Sequence, residues 1–383
     1  MADPALASGP AAPTARDCRD KHGAGRLILL DGMRGLAAIA VMFHHERQLF
    51  NEDGWFSRSY LAVDFFFLLS GFVLTLAFEQ KFGAGLKTSA FMKKRIVRLW
   101  PMLALGIVIG AIKIALMCGP GQSYGALAFL MALSLMMIPF AAIPGPIFIL
   151  NGPQWSLMFE IVANLAHTSI LHKLQDHLLL IITSLAGLLL GYLSLEYNKV
   201  GVGDLSSNWW MGFVRVGFSY TAGVWLGRKW RNDHPRRLMP WWVTFGALPA
   251  VLVLIKWAPV SVGLGDALAV LLIFPAILWA ASSSSVPAAL NAYMAKLGNL
   301  SYPLYAIHCP ILGLGAWLDH QLLPEYAGVA RILTTVLVLV LALALGERSS
   351  MYSAIREARA GRECLKIIAR LAKRAPDSRG LVA

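Results

Sequence analysis

Charged residues are scarce in this chain of 383 residues, since Asp, Glu, Lys and Arg make up 14% of it while 57% is hydrophobic. A soluble globular domain carries about 25% charged residues, so this composition excludes that class. The hydrophobic residues fall in runs of about 20, the length that a transmembrane helix needs. They lack the roughly ten-residue alternating segments of an outer-membrane barrel. The sequence therefore predicts an all-α, polytopic membrane protein.

Cysteine is also scarce, and the four cysteines form no pattern. Cys18, Cys118, Cys309 and Cys364 lie far apart in the chain. Metal sites and redox motifs need close spacings, so we expect neither a metal site nor a disulfide framework. Residues 1–26 are polar and contain no apolar core, and we therefore expect no cleavable signal peptide.

Acidic residues are outnumbered, with 21 Asp and Glu against 34 Lys and Arg, which gives a formal net charge of +13. Such an excess can indicate a nucleic-acid partner, but in a membrane protein basic segments mark the cytoplasmic side. The basic residues cluster in 1–26, 79–98, 228–237 and 347–383. We therefore expect these segments inside the cell, a transmembrane domain over 27–346, a lipid bilayer as partner and no nucleic acid.

About ten hydrophobic segments are predicted to cross the bilayer. They lie at about 27–45, 60–80, 98–118, 154–172, 177–196, 208–228, 241–257, 262–282, 299–318 and 329–346. A further apolar segment, 124–141, would make the number of crossings between two basic loops odd if it also crossed. It is therefore predicted to be an interfacial or re-entrant helix, and the Pro- and Gly-rich stretch 144–153 is predicted to be a turn.

The first hydrophobic segment, Leu29 to Glu46, carries an unusual polar stripe. A helix turns about 100° per residue, so Arg34 and His45, eleven residues apart, point in nearly the same direction. Asp31 lies one turn before Arg34, and His44 points roughly 80° away from it. Such a stripe would be unfavourable on a helix surrounded only by lipid. We expect something polar to pass along it.

Further polar side chains interrupt other apolar segments, where they are costly and usually face a cavity or a partner. Asp64 and Glu160 each need a cation, a proton or a polar cavity. Ser70 and Gly71 either allow two helices to approach closely or, in the case of Ser70, line a cavity. His308 is either packed against a hydrogen-bonded neighbour or lines a cavity.

Two arginines and a tryptophan complete the set of candidates. Arg95 and Arg98 are three residues apart and share a helix face. They form either a positive-inside anchor or a fork for a phosphate group. Trp155 begins a span, a position typical of an aromatic residue at the membrane interface.

Five pieces of the sequence occur in a fixed order: L-D-G-M-R-G-L-A-A-I-A-V-M-F-H-H, V-D-F-F-F-L-L-S-G-F-V-L-T, R-I-V-R-L-W-P, Q-W-S-L-M-F-E and L-G-N-L-S-Y-P-L-Y-A-I-H. Together they resemble the acyltransferase-3 family, the membrane O-acyltransferases of bacterial surface polysaccharides, over roughly 27–346. The resemblance implies a ten-span helical domain in the bacterial inner (plasma) membrane. It implies acyl-CoA, often acetyl-CoA, as the donor and a hydroxyl, usually on a glycan, as the acceptor.

The resemblance also assigns functional positions. They fall on Arg34, His45, Arg95, Arg98, Trp155 and Glu160. Ile161 stands where many relatives have a second acid, so no role of that acid is expected here. His44 replaces a commoner aromatic residue. No hydrolase-like domain follows the last span, and we expect the stand-alone form of the family.

Acyl transfer from a thioester to a hydroxyl needs a base, a site for the developing oxyanion and a grip on the donor. We expect His45 to be the base, because neutral imidazole suits that role near pH 7. The candidates for gripping the polyanionic coenzyme are Arg34, Arg95 and Arg98. The candidates for orienting the base or balancing Arg34 are Asp31, Asp64 and Glu160, among which the sequence does not choose. The remaining candidates for lining the pore or binding substrate are Asp64, Ser70, Trp155, His44 and His308.

A secondary transporter or exporter of a glycan or a small polar molecule is the alternative, because it would also place charged groups within its spans. Such a transporter typically has two related halves with broken helices in matching positions. The sequence shows no such repeat. It also shows no Ser or Cys in a nucleophile motif, so we expect direct transfer of the acyl group rather than an acyl-enzyme.

Overall fold

The computed structural model describes residues 15–51, 54–118, 123–233, 238–322 and 328–349, with side chains from residue 28 onward except that of Leu322. Its helices are α1 Ala15–Leu49, α2 Ala62–Gly83, α3 Thr88–Cys118, α4 Tyr124–Leu135, α5 Gln154–Ser169, α6 Asp176–Glu196, α7 Met211–Asp233, α8 Trp241–Leu254, α9 Val262–Leu268, α10 Phe274–Ser282, α11 Asn291–Leu322 and α12 Val329–Ser349. Within these ranges the structure contains no β-strand. Most of the predicted C-terminal tail lies outside the described residues.

Each of the ten predicted spans coincides with a helix, and α9 and α10 form one of them because a π-turn, Ala269–Ile273, joins them. Among the described residues, five helical segments are long and apolar enough to cross a membrane by themselves: Ser59–Gly83, Thr88–Cys118, Asp176–Glu196, Val262–Ser282 and Val329–Ser349. The all-α, polytopic membrane fold is therefore confirmed, and the number of ten crossings stays a prediction. The short helix α4 has 12 residues. That is about 18 Å, well below the ~30 Å hydrocarbon core, which agrees with a segment that does not cross.

Helices α2 and α7 pack along each other through two glycines. A Cβ added to Gly71 would lie 2.1 Å from the carbonyl oxygen of Tyr220, and one added to Gly223 would lie 2.0 Å from that of Leu68. Any side chain at either position would push the two backbones apart. Close helix contact at Gly71 is therefore confirmed, as expected of small residues between membrane helices.

Helices α1 and α11 also pack along each other over many residues. Arg34 contacts Ser301, and His45, eleven residues further along α1, contacts His308. Residue numbers increase in the same direction along both helices from the first contact to the second, so α1 and α11 are parallel. Both polar side chains of the α1 stripe therefore face α11, which confirms that they point to the same side.

Helix α11 contains Pro303 and Pro310 and nevertheless stays helical throughout. Proline has no N–H, so Pro310 leaves the carbonyl oxygen of Ala306 without its helical partner. The side-chain amide of Asn151 donates a hydrogen bond of 2.9 Å to that oxygen. Asn151 belongs to the non-helical stretch before α5, where the turn 144–153 was predicted. This stretch therefore fastens the start of α5 to α11.

Candidate functional site

A cavity of about 200 Å³ lies between α1, α2, α3, α5 and α11. Its charged lining consists of Arg34, Arg95, Arg98 and Glu160. Its other polar lining consists of Ser70, Ser156, Ser301, Tyr302 and Tyr305. The remaining wall is apolar and is contributed mainly by phenylalanine, valine and leucine side chains of α2. The cavity thus combines an apolar wall with three cationic side chains and one anionic side chain.

Arg34 is held at the cavity wall by three contacts. Its Nε donates to the hydroxyl of Ser301 at 2.9 Å, and one terminal nitrogen donates to the carbonyl oxygen of Gly298 at 2.9 Å. The carboxylate of Asp31 lies 3.2 Å from the same terminal nitrogen. Among the carboxylates considered from the sequence, Asp31 is therefore the one that balances Arg34. The side chain of Arg34 is still 30% exposed, so part of the guanidinium remains open to a ligand.

Glu160 lies in an apolar helix and forms an ion pair with Arg95. Its carboxylate lies 2.5 Å from a terminal nitrogen of Arg95 and accepts a hydrogen bond of 2.8 Å from the hydroxyl of Ser70. Ser70 and Gly71 thus have separate tasks, since Ser70 lines the cavity while Gly71 makes the helix contact. Helices α2, α3 and α5 are tied together by this group.

Arg95 and Arg98 retain unused capacity for hydrogen bonds. The Nε of Arg95 is buried and has no hydrogen-bond partner. Arg98 is exposed and makes no hydrogen bond or ion pair with any residue that the structure describes. A buried, unpaired donor is costly unless a ligand satisfies it. The pair therefore fits an anionic group that accepts from both guanidiniums.

His45 and His308 form a pair that does not line the cavity. The Nε2 of His308 lies 3.2 Å from the Nδ1 of His45, and the ring centroids are 5.0 Å apart. His308 is fully buried, so the packed alternative holds for it. Tyr305 lines the cavity on one side and packs against His308 on the other, with ring centroids 5.8 Å apart. Tyr305 thus stands between the cavity and the histidine pair.

Asp64 lies in a separate buried group. Its carboxylate accepts from the guanidinium of Arg215, with a shortest distance of 2.6 Å, and both side chains are almost completely buried. The guanidinium of Arg215 also lies over the ring of Trp155, 5.0 Å from its centroid. Trp155 is only 8% exposed, so the prediction of an interface aromatic at this position is wrong. The indole is buried because it packs on this cation and on Phe67 and Phe159.

His44 lies next to His45 but has different partners. Its Nδ1 is 3.1 Å from the carbonyl oxygen of Phe56, and its ring packs edge-on against Tyr60. The hydroxyl of Tyr60 in turn donates to Asp266 at 2.6 Å. His44 therefore helps to fix the connection between α1 and α2.

Several residues of the site were not singled out from the sequence. They are Ser156, Arg215, Ser301, Tyr302 and Tyr305. A helical signal for part of this set was present, because Ser301, Tyr305 and His308 follow the spacing i, i+4, i+7 of one helix face. Arg215 could have been found as a cation inside an apolar segment, which requires a buried acid as partner.

No group of three or more His, Cys, Asp or Glu side chains in the described residues is arranged to hold a metal ion. The polar groups of the cavity are instead guanidiniums, hydroxyls and one carboxylate. Guanidiniums bind anions and cannot act as metal ligands.

Comparison with known proteins gives two matches. A family model described as an acyltransferase domain, that of the acyltransferase-3 family, matches residues 27–346. The chain is 36% identical over 154 residues to "Protein 2 in picA locus" of Rhizobium radiobacter, a match that covers 36% of this chain and 79% of that protein. No solved structure matches the chain significantly.

Proposed function

The chain belongs to the acyltransferase-3 family and is an acyltransferase. We propose that it transfers an acyl group from acyl-CoA to a hydroxyl of a cell-envelope glycan, and that this acyl group is acetyl. The observation that carries the proposal is the cluster of three guanidiniums, those of Arg34, Arg95 and Arg98, around one cavity. Coenzyme A carries several phosphate oxygens, and planar guanidiniums bind such groups with paired hydrogen bonds.

The cavity fits part of the donor rather than the whole coenzyme. Its volume of about 200 Å³ lies below the ~300–1,000 Å³ of a pocket for a drug-sized ligand. Its arginines supply sites for phosphate, and its apolar α2 wall suits the uncharged arm that carries the thioester. The buried Nε of Arg95, which lacks a partner, supports an acceptor atom of the ligand at that end.

His45 is the base in this proposal. It lies about 16 Å further along α1 than Arg34, a distance that the arm of the coenzyme can largely cover. The hydroxyl oxygen of the acceptor attacks the thioester carbonyl carbon while His45 takes the hydroxyl proton. The bond between carbon and sulfur then breaks, and the departing thiolate takes the proton back from His45. The products are the acylated hydroxyl and free coenzyme A.

The glycan acceptor and the location in a bacterial plasma membrane follow from the usual acceptor class and location of the family. In this proposal both chain termini lie on the cytoplasmic side, where acyl-CoA is available, because basic segments of membrane proteins are retained there. His45, near the other end of α1, would then meet an acceptor that arrives from the opposite side. Access from the cavity to His45 requires that the arm pass Tyr305.

The test measures transfer of labelled acetyl from acetyl-CoA to extracted envelope glycans by the purified protein in lipid nanodiscs. We expect transfer by the wild-type protein and a loss of at least about 10²-fold in His45→Ala, the usual size of a general-base contribution. Arg34→Ala should raise the KM for acetyl-CoA. The controls are His177→Ala and Lys93→Ala, which remove an exposed histidine and an exposed basic side chain, neither of which lines the cavity.

Wild-type rates in both His45→Ala and Arg34→Ala would refute the assigned roles. Absence of any transfer, together with uptake of labelled glycan into vesicles without added CoA ester, would identify a transporter instead.

A further inference from the structure

The hydrogen positions of His308 follow from its surroundings. Its Nδ1 lies 3.0 Å from the carbonyl oxygens of both Leu304 and Tyr305. A carbonyl oxygen can only accept, so Nδ1 must carry a hydrogen. His308 is fully buried and contacts no carboxylate among the described residues, so the ring is neutral, because burial of an unpaired charge is costly. A neutral imidazole has one N–H, and the Nε2 of His308 is therefore an acceptor.

The tautomer of His45 follows in the same way from its neighbours. Its Nδ1 lies 3.0 Å from the carbonyl oxygen of Val41 and 3.2 Å from the Nε2 of His308. Both neighbours are acceptors, so the Nδ1 of His45 carries the hydrogen and shares it between them. The Nε2 of His45 then holds the lone pair. No hydrogen bond joins this nitrogen to any residue that the structure describes.

The carboxylates proposed from the sequence to orient His45 are engaged elsewhere. Asp31 pairs with Arg34, Asp64 with Arg215 and Glu160 with Arg95. Another titratable group, His44, packs edge-on against the ring of His45, with centroids 5.4 Å apart. His308 is the side chain that bonds to it directly.

We infer that His308 is a positioning residue for His45, holding it with the hydrogen on Nδ1 and the lone pair of Nε2 directed to the acceptor hydroxyl. The inference rests on the proposed role of His45 as base. During transfer the hydroxyl proton moves to Nε2 of His45 as the oxygen bonds to the thioester carbon. The imidazolium keeps its Nδ1–H on the lone pair of His308. The thiolate released by cleavage of the carbon–sulfur bond takes the proton from Nε2.

The kinetic test compares two substitutions of His308 that differ in one hydrogen-bond acceptor. His308→Gln retains an oxygen near the place of Nε2, whereas His308→Leu removes the acceptor. We expect His308→Leu to lower kcat by about 10²-fold with an unchanged KM for acetyl-CoA, and His308→Gln to recover most of the loss. A purely structural role would instead lower the amount of folded protein and change both parameters in both variants.

A spectroscopic test reads the tautomer from the wild-type protein, and a variant serves only to assign the signal. The ¹⁵N spectrum of histidine-labelled protein distinguishes protonated from unprotonated ring nitrogens, and the loss of a signal in His45→Gln assigns His45. A protonated Nδ1 and an unprotonated Nε2 are expected. The opposite tautomer would overturn the inference.

The outcomes separate the two proposals. Wild-type transfer activity in His45→Ala would refute the role of His45 as base and with it the role of His308, whereas absence of transfer by the wild-type protein would overturn the proposed function. An inactive His45→Ala beside a His308→Leu with normal kcat would leave the proposed function intact and overturn the role of His308 alone.

Discussion

At the scale of single residues, the arginines of the cavity differ in how much of each is already committed within the protein. Arg95 is bound to Glu160, whereas Arg98 has no partner among the described residues. Substitution of Arg98 should therefore weaken the binding of an anion and have little effect on the stability of the protein. Substitution of Arg95 should weaken anion binding and also lower the stability, because it leaves the carboxylate of Glu160 without its cation.

We predict that Arg98→Gln raises the KM for acetyl-CoA by about 10- to 100-fold, the equivalent of one charged hydrogen bond of ~1.5–3 kcal/mol. Its kcat and melting temperature should stay close to those of the wild-type protein. Arg95→Gln should raise the KM and also lower the melting temperature. Equal KM values for Arg98→Gln and wild-type protein would contradict a phosphate-binding role.

A second residue-scale prediction concerns the buried pair of Asp64 and Arg215. Arg215→Met leaves a buried carboxylate without its cation, which typically costs ~3–5 kcal/mol. The double variant Asp64→Leu with Arg215→Met removes both charges and should be more stable than the single variant. Thermal unfolding in detergent measures both. A single variant as stable as the wild type would show that the pair contributes nothing to the fold.

At the scale of helices, the approach of α2 to α7 depends on Gly71. Gly83 on the same helix offers a matched control, since a Cβ there would meet nothing within 4 Å. We predict that Gly71→Ala destabilises the protein by about 1–3 kcal/mol, the usual cost of overpacking. Gly83→Ala should be neutral or slightly stabilising. Thermal unfolding of both variants in the same detergent is the measurement, and equal melting temperatures would refute the argument.

The helices could be predicted from the sequence because hydrophobic length is a local property. The partners of buried charges could not, because they depend on which helices pack together. Asp64 lies 151 positions before Arg215, and Ser70 lies 90 positions before Glu160. For the site, the sequence could predict that Arg34 and His45 point in the same direction, because both belong to one helix and the helical period fixes the angle between them. That Tyr305 separates the cavity from His45 depends on α11 and was not predictable.

At the scale of the whole molecule, the proposed reaction requires a defined orientation in the membrane. The arginines of α3 lie at the end of the basic segment 79–98, whereas His45 lies near the C-terminal end of α1, which ends at Leu49. Donor and acceptor would therefore approach the site from opposite faces. The basic segment should face the cytoplasm, because lysine and arginine near the ends of spans are retained there.

Cysteine labelling tests this orientation directly. In a background without the four native cysteines, Trp55→Cys and Lys87→Cys each introduce one thiol at an exposed position, on either side of α2. A membrane-impermeant maleimide applied to intact cells should label Trp55→Cys and spare Lys87→Cys, and permeabilised cells should label both. The reverse pattern would place Arg95 and Arg98 on the face without cytoplasmic acyl-CoA. The arginines could then not bind a cytoplasmic donor, even if every contact of the cavity were correct.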